Sequence, residues 1–123
     1  MKILIVDDSK HFHSIVTGML EKVNYQSASA YHGLDAVDQL NDGLNVDLVL
    51  LDWNMPEMNG PEFLKAVKEQ NLTSAPIVMM TTENSIEKIT EAMGLGAQEY
   101  IMKPFTDDIL LSKIDFVLGM KAA

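Results

Sequence analysis

Four short runs of mainly apolar residues end on side chains that can do chemistry. Asp7 and Asp8 follow the first, Asp52 follows Leu48-Val49-Leu50-Leu51, Thr81 and Thr82 follow Ile77-Val78-Met79-Met80, and Lys103 follows Tyr100-Ile101-Met102. Three carboxylates brought together repel one another when ionised, so at least one would have a raised pKa unless a cation intervenes. Oxygen-only ligation by carboxylates and water suits Mg2+, or Mn2+ in its place, and leaves positions for phosphate oxygens. Asp52 is the nucleophile of choice because it ends a continuously apolar run and would project from a rigid central strand. Attack of a carboxylate on phosphorus gives an acyl phosphate. Phosphoryl transfer depends on positioning and on neutralising the equatorial oxygens, tasks that suit Lys103, the cation and the Thr81 hydroxyl. Thr82 takes the place of Thr81 if the strand end slips by one residue.

These residues converge only if the elements behind them are parallel strands of one sheet. Short aliphatic or β-branched runs alternate with longer amphipathic stretches, the signature of repeated βα units. Strands are expected at Lys2 to Val6, Gln26 to Ala30, Leu48 to Leu51, Ile77 to Met80 and Tyr100 to Met102. The first, third and fourth are continuously apolar, which suits strands covered on both faces.

The first helix is marked by Phe12, Ile15, Val16, Met19, Leu20 and Val23 at helical spacing, with Asp8 or Ser9 as its cap. Further helices are expected at about Leu34 to Leu40, Pro61 to Glu69, Ile86 to Leu95 and Asp107 to Leu118. Pro61 suits a first turn, Asn84 with Glu87 offers a capping box, Gly96 a stop, and Asp107 and Asp108 favourable charge at a helix start. Right-handed crossovers place helices on both faces of a doubly wound α/β sheet, whose ligand site lies beyond the C-terminal strand ends.

The 123 residues suffice for one well-buried core, so a single domain spanning 1–123 is expected. No run approaches a membrane span and no secretory signal opens the chain, which places it in the cytoplasm. Cysteine is absent, which removes disulfides, thiolate metal sites and cysteine nucleophiles. A formal charge of −9 without a single arginine argues against direct nucleic-acid binding.

The Asp7-Asp8 pair, the segment Leu51-Asp52-Trp53-Asn54-Met55-Pro56-Glu57-Met58-Asn59-Gly60, the Thr81-Thr82 pair and Met102-Lys103-Pro104-Phe105 resemble bacterial response-regulator receiver domains, especially the stand-alone chemotaxis type. The resemblance spans essentially the whole chain. It implies a flavodoxin-like (βα)5 fold with strand order 2-1-3-4-5 and a phosphoryl group accepted on Asp52 from a histidine kinase or phosphotransfer protein. It also implies that Asp8, Asp52 and the Asn54 backbone carbonyl ligate Mg2+ directly, with Asp7 helping through water. Thr81 and Lys103 would contact the phosphoryl group, and Lys103 would precede a cis bond to Pro104. Thr81 would move toward the phosphate and Tyr100 rotate inward, reshaping the face of the fourth helix, fifth strand and fifth helix for a protein target. Asn54 and Glu83 match positions that tune the attack of water on the acyl phosphate, implying a lifetime of seconds to minutes. Ser9 departs from the aromatic often found beside the acidic pair, which leaves the donor-access surface open.

Several residues have plainer readings. An Asp pair after a strand is commonly a helix cap, and Tyr100 is by default a half-buried strand aromatic. His11 and His13 sit two apart, point to different faces of the first helix and are read as surface histidines. Met19, Met79, Met80, Met93 and Met102 are read as core or strand residues. Pro56 and Gly60 are read as turn residues that shape the loop after Asp52.

With no output domain after Ala123, the signal would pass to a separate protein, the chain being monomeric or dimerising on phosphorylation. The competing readings are an aspartyl-phosphate enzyme acting on outside substrates, a flavin-binding or pseudo-receiver module, and a phosphorylation-independent scaffold. The short chain leaves no substrate domain for the enzyme, and Asp7 and Asp8 would repel a flavin phosphate.

Overall fold

The computed structural model describes residues 1–82 and 85–122, with side-chain burial described through residue 119. Strands β1 (Lys2–Val6), β2 (Gln26–Ala30), β3 (Leu48–Asp52), β4 (Ile77–Thr81) and β5 (Glu99–Met102) alternate with helices α1 (Lys10–Glu21), α2 (Gly33–Asn41), α3 (Gly60–Gln70), α4 (Ile86–Gly94) and α5 (Asp107–Ala122). All strand pairs are parallel, in the order β2-β1-β3-β4-β5. β3 and β4 are buried along their whole length, as the apolar runs Leu48-Val49-Leu50-Leu51 and Ile77-Val78-Met79-Met80 require of strands covered on both faces.

Alternation along the strands divides the core in two. Leu4, Val6, Val49, Leu51, Ile77 and Met79 pack against Val37 and Leu40 of α2, Phe63 and Leu64 of α3 and Ala92 of α4. Ile3, Ile5, Leu48, Leu50, Val78 and Met80 face the other way, onto Val16 and Leu20 of α1 and Leu110, Ile114 and Val117 of α5. Burial of these aliphatic side chains, about 1.5–3 kcal/mol each, fixes the strand register and with it the alignment of the strand ends.

Local signals set where each helix begins. The Ser9 hydroxyl accepts the Phe12 N–H at 3.2 Å and caps α1, so of the two expected caps Ser9 serves and Asp8 stays out of the helix. Asn59 and Glu62 form a reciprocal capping box at α3, with Pro61 between them in the first turn. α4 is capped by Ser85, whose hydroxyl accepts from the Lys88 N–H; the expected cap, Asn84, lies outside the described residues. Gly96 adopts φ +114 just past α4, the left-handed conformation a helix stop needs.

Some core expectations are corrected. Ile15 is 43% exposed because the buried stripe of α1 runs through His13, Val16 and Leu20, and Val23 lies beyond the helix end. Met93 on α4 and Met102 on the edge strand β5 are exposed, whereas Met79 and Met80 on the interior strand β4 are buried and Met19 packs at the margin.

Candidate functional site: an acidic cluster bridged by lysine

The register that aligns Val6 with Leu51 brings the Asp7 side chain beside Asp52 at the C-terminal edge of the sheet. Asp7, Asp8 and Asp52 each present a carboxylate oxygen within 4.8 Å of the others. Lys103, after β5, reaches across to them. Its Nζ donates to Asp7 Oδ2 at 2.6 Å and to Asp52 Oδ1 at 3.2 Å. The Phe12 ring covers the same ammonium, with Nζ 4.2 Å from its centroid, and Phe105 packs edge-on against Phe12. The Lys103–Pro104 bond is cis.

Each acid is held differently. Asp7 is buried, and its Oδ1 accepts the Ser9 N–H at 2.9 Å. Asp52 is 9% exposed, and its Oδ1 also accepts the N–H of Trp53 at 2.9 Å. Asp8 is exposed at the mouth of the cluster. Burial first, and the charge of Asp7 second, push the Asp52 carboxyl up to about 6, against the opposing pull of Lys103 and of the Trp53 N–H. The raised pKa expected among three carboxylates therefore falls on Asp52, with desolvation outweighing repulsion.

The donor set fits a hard divalent cation. All three candidate ligands offer carboxylate oxygens, and around Mg2+ at about 2.1 Å adjacent ligands lie about 3.0 Å apart and opposite ones about 4.2 Å, so oxygens within 4.8 Å of one another are gathered near one coordination sphere and would close on the ion by side-chain rotation. Such an ion also offsets the repulsion that raises Asp52.

Thr81 ends β4, buried, and its carbonyl accepts the Lys103 N–H at 2.8 Å. A narrow crevice lined by Thr81, Lys88 and the largely apolar side chains of Trp53, Met79, Ile89, Ala92 and Tyr100 runs from it toward β5. Tyr100 is half-buried, with Lys113 Nζ 5.2 Å from its ring centroid. Thr82 is exposed, so Thr81 is the residue at the strand end. Asn54 is exposed two residues beyond Asp52; Glu83 lies outside the described residues.

Residues 3–115 match the response regulator receiver domain. The chain belongs to that family. The receiver is 38% identical over 121 residues to chemotaxis protein CheY1 of Helicobacter pylori, covering 97% of this chain and 98% of that one. It is 40% identical over 121 residues to the chemotaxis protein CheY homolog of Campylobacter jejuni, covering 97% and 93%. The solved structure of Vibrio cholerae chemotaxis protein CheY4 superposes with a TM-score of 0.87 at 37% identity, covering 94% of this chain and 97% of that one. A two-component response regulator from Clostridium difficile superposes at 0.90 with 29% identity over 100% and 99%. The receiver is thus a homologue of chemotaxis response regulators and a phosphorylation-dependent switch of the two-component type, a signalling protein rather than a conventional enzyme. Among the described residues no helix is long and apolar enough to cross a membrane.

Three features of the receiver's site arise from the tertiary structure. His13 is not a surface histidine: it is 4% exposed, with Nε2 2.7 Å from the Asp7 carbonyl oxygen and Nδ1 3.0 Å from Ser29 Oγ. The signal was its place on the 13–16–20 stripe with Val16 and Leu20. Gly60 does more than turn the chain, since a Cβ there would lie 2.7 Å from the Asp52 carbonyl oxygen. The aromatic cover over Lys103 comes from Phe12, four residues beyond Asp8, and only the tertiary fold reveals that contact.

Proposed function

We propose that this receiver accepts a phosphoryl group on Asp52 from a phosphohistidine of a histidine kinase or phosphotransfer protein, and then binds a separate target protein in a chemotaxis pathway. The observation that carries this reading is the Lys103 ammonium bonded to both Asp7 and Asp52 at the mouth of a buried acidic pocket. It supports nucleophile and cation already in place before a donor arrives, which is the positioning that phosphoryl transfer demands.

Asp7, Asp8 and Asp52, with the Asn54 carbonyl, would hold Mg2+ or Mn2+; when bound, the ion neutralises charge on the phosphoryl oxygens. The Asp52 carboxylate attacks phosphorus, a new P–O bond forms, and the P–N bond to the donor imidazole breaks with its electron pair leaving on nitrogen, which is then protonated. Lys103 stabilises the equatorial oxygens, and Thr81 donates its hydroxyl to them once it turns toward Asp52. That turn opens the apolar crevice between Thr81 and Tyr100, into which the Tyr100 ring moves. The switch is a population shift, biased by contacts available only when the added charge is present. Asn54 and Glu83 would tune hydrolysis of the acyl phosphate, setting its lifetime at seconds to minutes.

The output face would be that of α4, β5 and α5. It exposes Ile86, Met102, Ile109 and Phe116, and carries a groove of about 460 Å3 lined in part by Glu99, Ile109, Lys113 and Phe116. The single domain would span 1–123 and act as a monomer in the cytoplasm.

The test is incubation with acetyl phosphate in the presence and absence of Mg2+, read by intact mass on the wild type and Asp52→Asn. A Mg2+-dependent gain of one phosphoryl group on the wild type alone supports the reading. No gain under any metal or donor condition returns the pseudo-receiver to favour.

A further inference from the structure

Helix α1 carries one buried polar side chain for which the phosphorylation chemistry has no use. His13 is 4% exposed, yet both of its ring nitrogens have partners. The Asp7 carbonyl oxygen, 2.7 Å from Nε2, can only accept, so Nε2 carries a proton. In the neutral ring Nδ1 is then the acceptor, and the Ser29 hydroxyl on β2 donates to it at 3.0 Å. The ring also packs at a tilt against Tyr31, centroids 4.7 Å apart. Position, tautomer and plane of the imidazole are therefore fixed by three separate neighbours.

What His13 grips is the backbone between the two acids. The β1 ladder ends at Val6, and the Asp7 N–H makes the last bond to β2, to the Ala30 carbonyl at 3.1 Å. The Asp7 carbonyl lies one bond beyond the sheet, and the peptide it belongs to carries Asp8. Asp8 is exposed, so the direction of its carboxylate is set by the backbone from which it hangs. Rotation of the Asp7–Asp8 peptide would swing Asp8 away from Asp52 while Lys103 still held the Asp7 carboxylate; the Ser9 N–H bonded to Asp7 Oδ1 restrains that rotation from one side and His13 from the other.

We propose that His13 is a positioning residue for the cation site: its Nε2–H holds the Asp7 carbonyl and so fixes the peptide that aims Asp8 at Asp52. The inference rests on the reading that Asp7, Asp8 and Asp52 hold a divalent cation. A partner one step removed from the ligands contributes by preorganising them, and loss of such a partner commonly weakens metal affinity about tenfold or more. The alternative is a histidine that merely fills the space between α1 and β2. That role needs the volume of the side chain and not its N–H.

Metal affinity separates the two. The wild type, His13→Gln, His13→Leu and His13→Phe are titrated with Mn2+ while free ion is followed by electron paramagnetic resonance, and unfolding is measured in parallel with chelator present. Leu and Phe fill the space without a donor, and two such variants guard against one failing to fold. Gln places an amide N–H near the position of Nε2. Binding about tenfold weaker in Leu or Phe, with Gln within about threefold of the wild type, supports the positioning role. Equal affinity in the wild type and a folded donor-less variant overturns it, as does a loss in Gln as large as that in Leu. If the wild type itself binds no Mn2+, the cation reading fails and the positioning role falls with it. Wild-type binding that is indifferent to residue 13 sinks the positioning role alone.

Discussion

Replacing Asp52 by asparagine should stabilise the metal-free protein, by an amount that depends on pH in a defined way. In the folded chain the Asp52 carboxyl is raised from 3.8 to about 6, chiefly by burial and by Asp7. The folded state therefore keeps a proton that the unfolded state has released, and stability from this group falls as pH rises from about 4 to about 6. At about 1.4 kcal/mol per pH unit, the cost of ionised Asp52 above that window reaches at most about 3 kcal/mol. Asparagine approximates the protonated carboxyl: it keeps an oxygen for the Trp53 N–H and carries no charge toward Asp7, while Lys103 retains Asp7. Urea unfolding with chelator present, followed by Trp53 fluorescence, should show a gain of only about 0.5 kcal/mol for Asp52→Asn at pH 4. The gain should grow to about 1–3 kcal/mol at pH 7.5, with an unchanged denaturant slope. Excess Mg2+ should narrow it by stabilising the wild type through binding. A variant no more stable than the wild type at pH 7.5, or a gain already complete at pH 4, would refute the electrostatic reasoning.

Other substitutions probe other parts of the site. Lys103→Met should abolish the measurable phosphoryl adduct and lower metal-free stability at pH 7 by about 2 kcal/mol, since it leaves Asp7 and Asp52 buried without their cation; intact mass and urea unfolding read the two effects. Gly60→Ala should cost about 2–3 kcal/mol in thermal unfolding, because its Cβ would meet the Asp52 carbonyl at 2.7 Å and the Trp53 Cα at 3.1 Å, both backbone atoms that cannot step aside. Asn59→Ala removes the capping box of α3 and should cost about 1 kcal/mol by the same measurement.

The fold was legible in the sequence because residues 3–6, 48–51 and 77–80 are unbroken apolar runs, and a chemically able residue follows each. Even β2, with the weakly apolar sequence Gln-Ser-Ala-Ser-Ala, fell where expected, as the βα alternation left one place for it. Strand ends were less exact: β3 and β4 each include the functional residue, Asp52 and Thr81, that was placed just beyond them. What the sequence hid was tertiary. Whether Met93 and Met102 are buried depends on which elements flank α4 and β5, and not on their own spacing. His13 lies on the buried stripe of α1, but reading it with His11, two residues away, put both at the surface, and its partners come from the Asp7 carbonyl and from β2, neither of which spacing along α1 can supply.

Reductive trapping tests at the level of the residue whether Asp52 is the acceptor. After reaction with acetyl phosphate and Mg2+, borohydride converts an aspartyl phosphate to homoserine, and peptide mass mapping locates the change. Homoserine is expected at position 52 and nowhere else, with none when Mg2+ is withheld. Homoserine at Asp7, Asp8 or another carboxylate while residue 52 stays unmodified would contradict Asp52 as the acceptor.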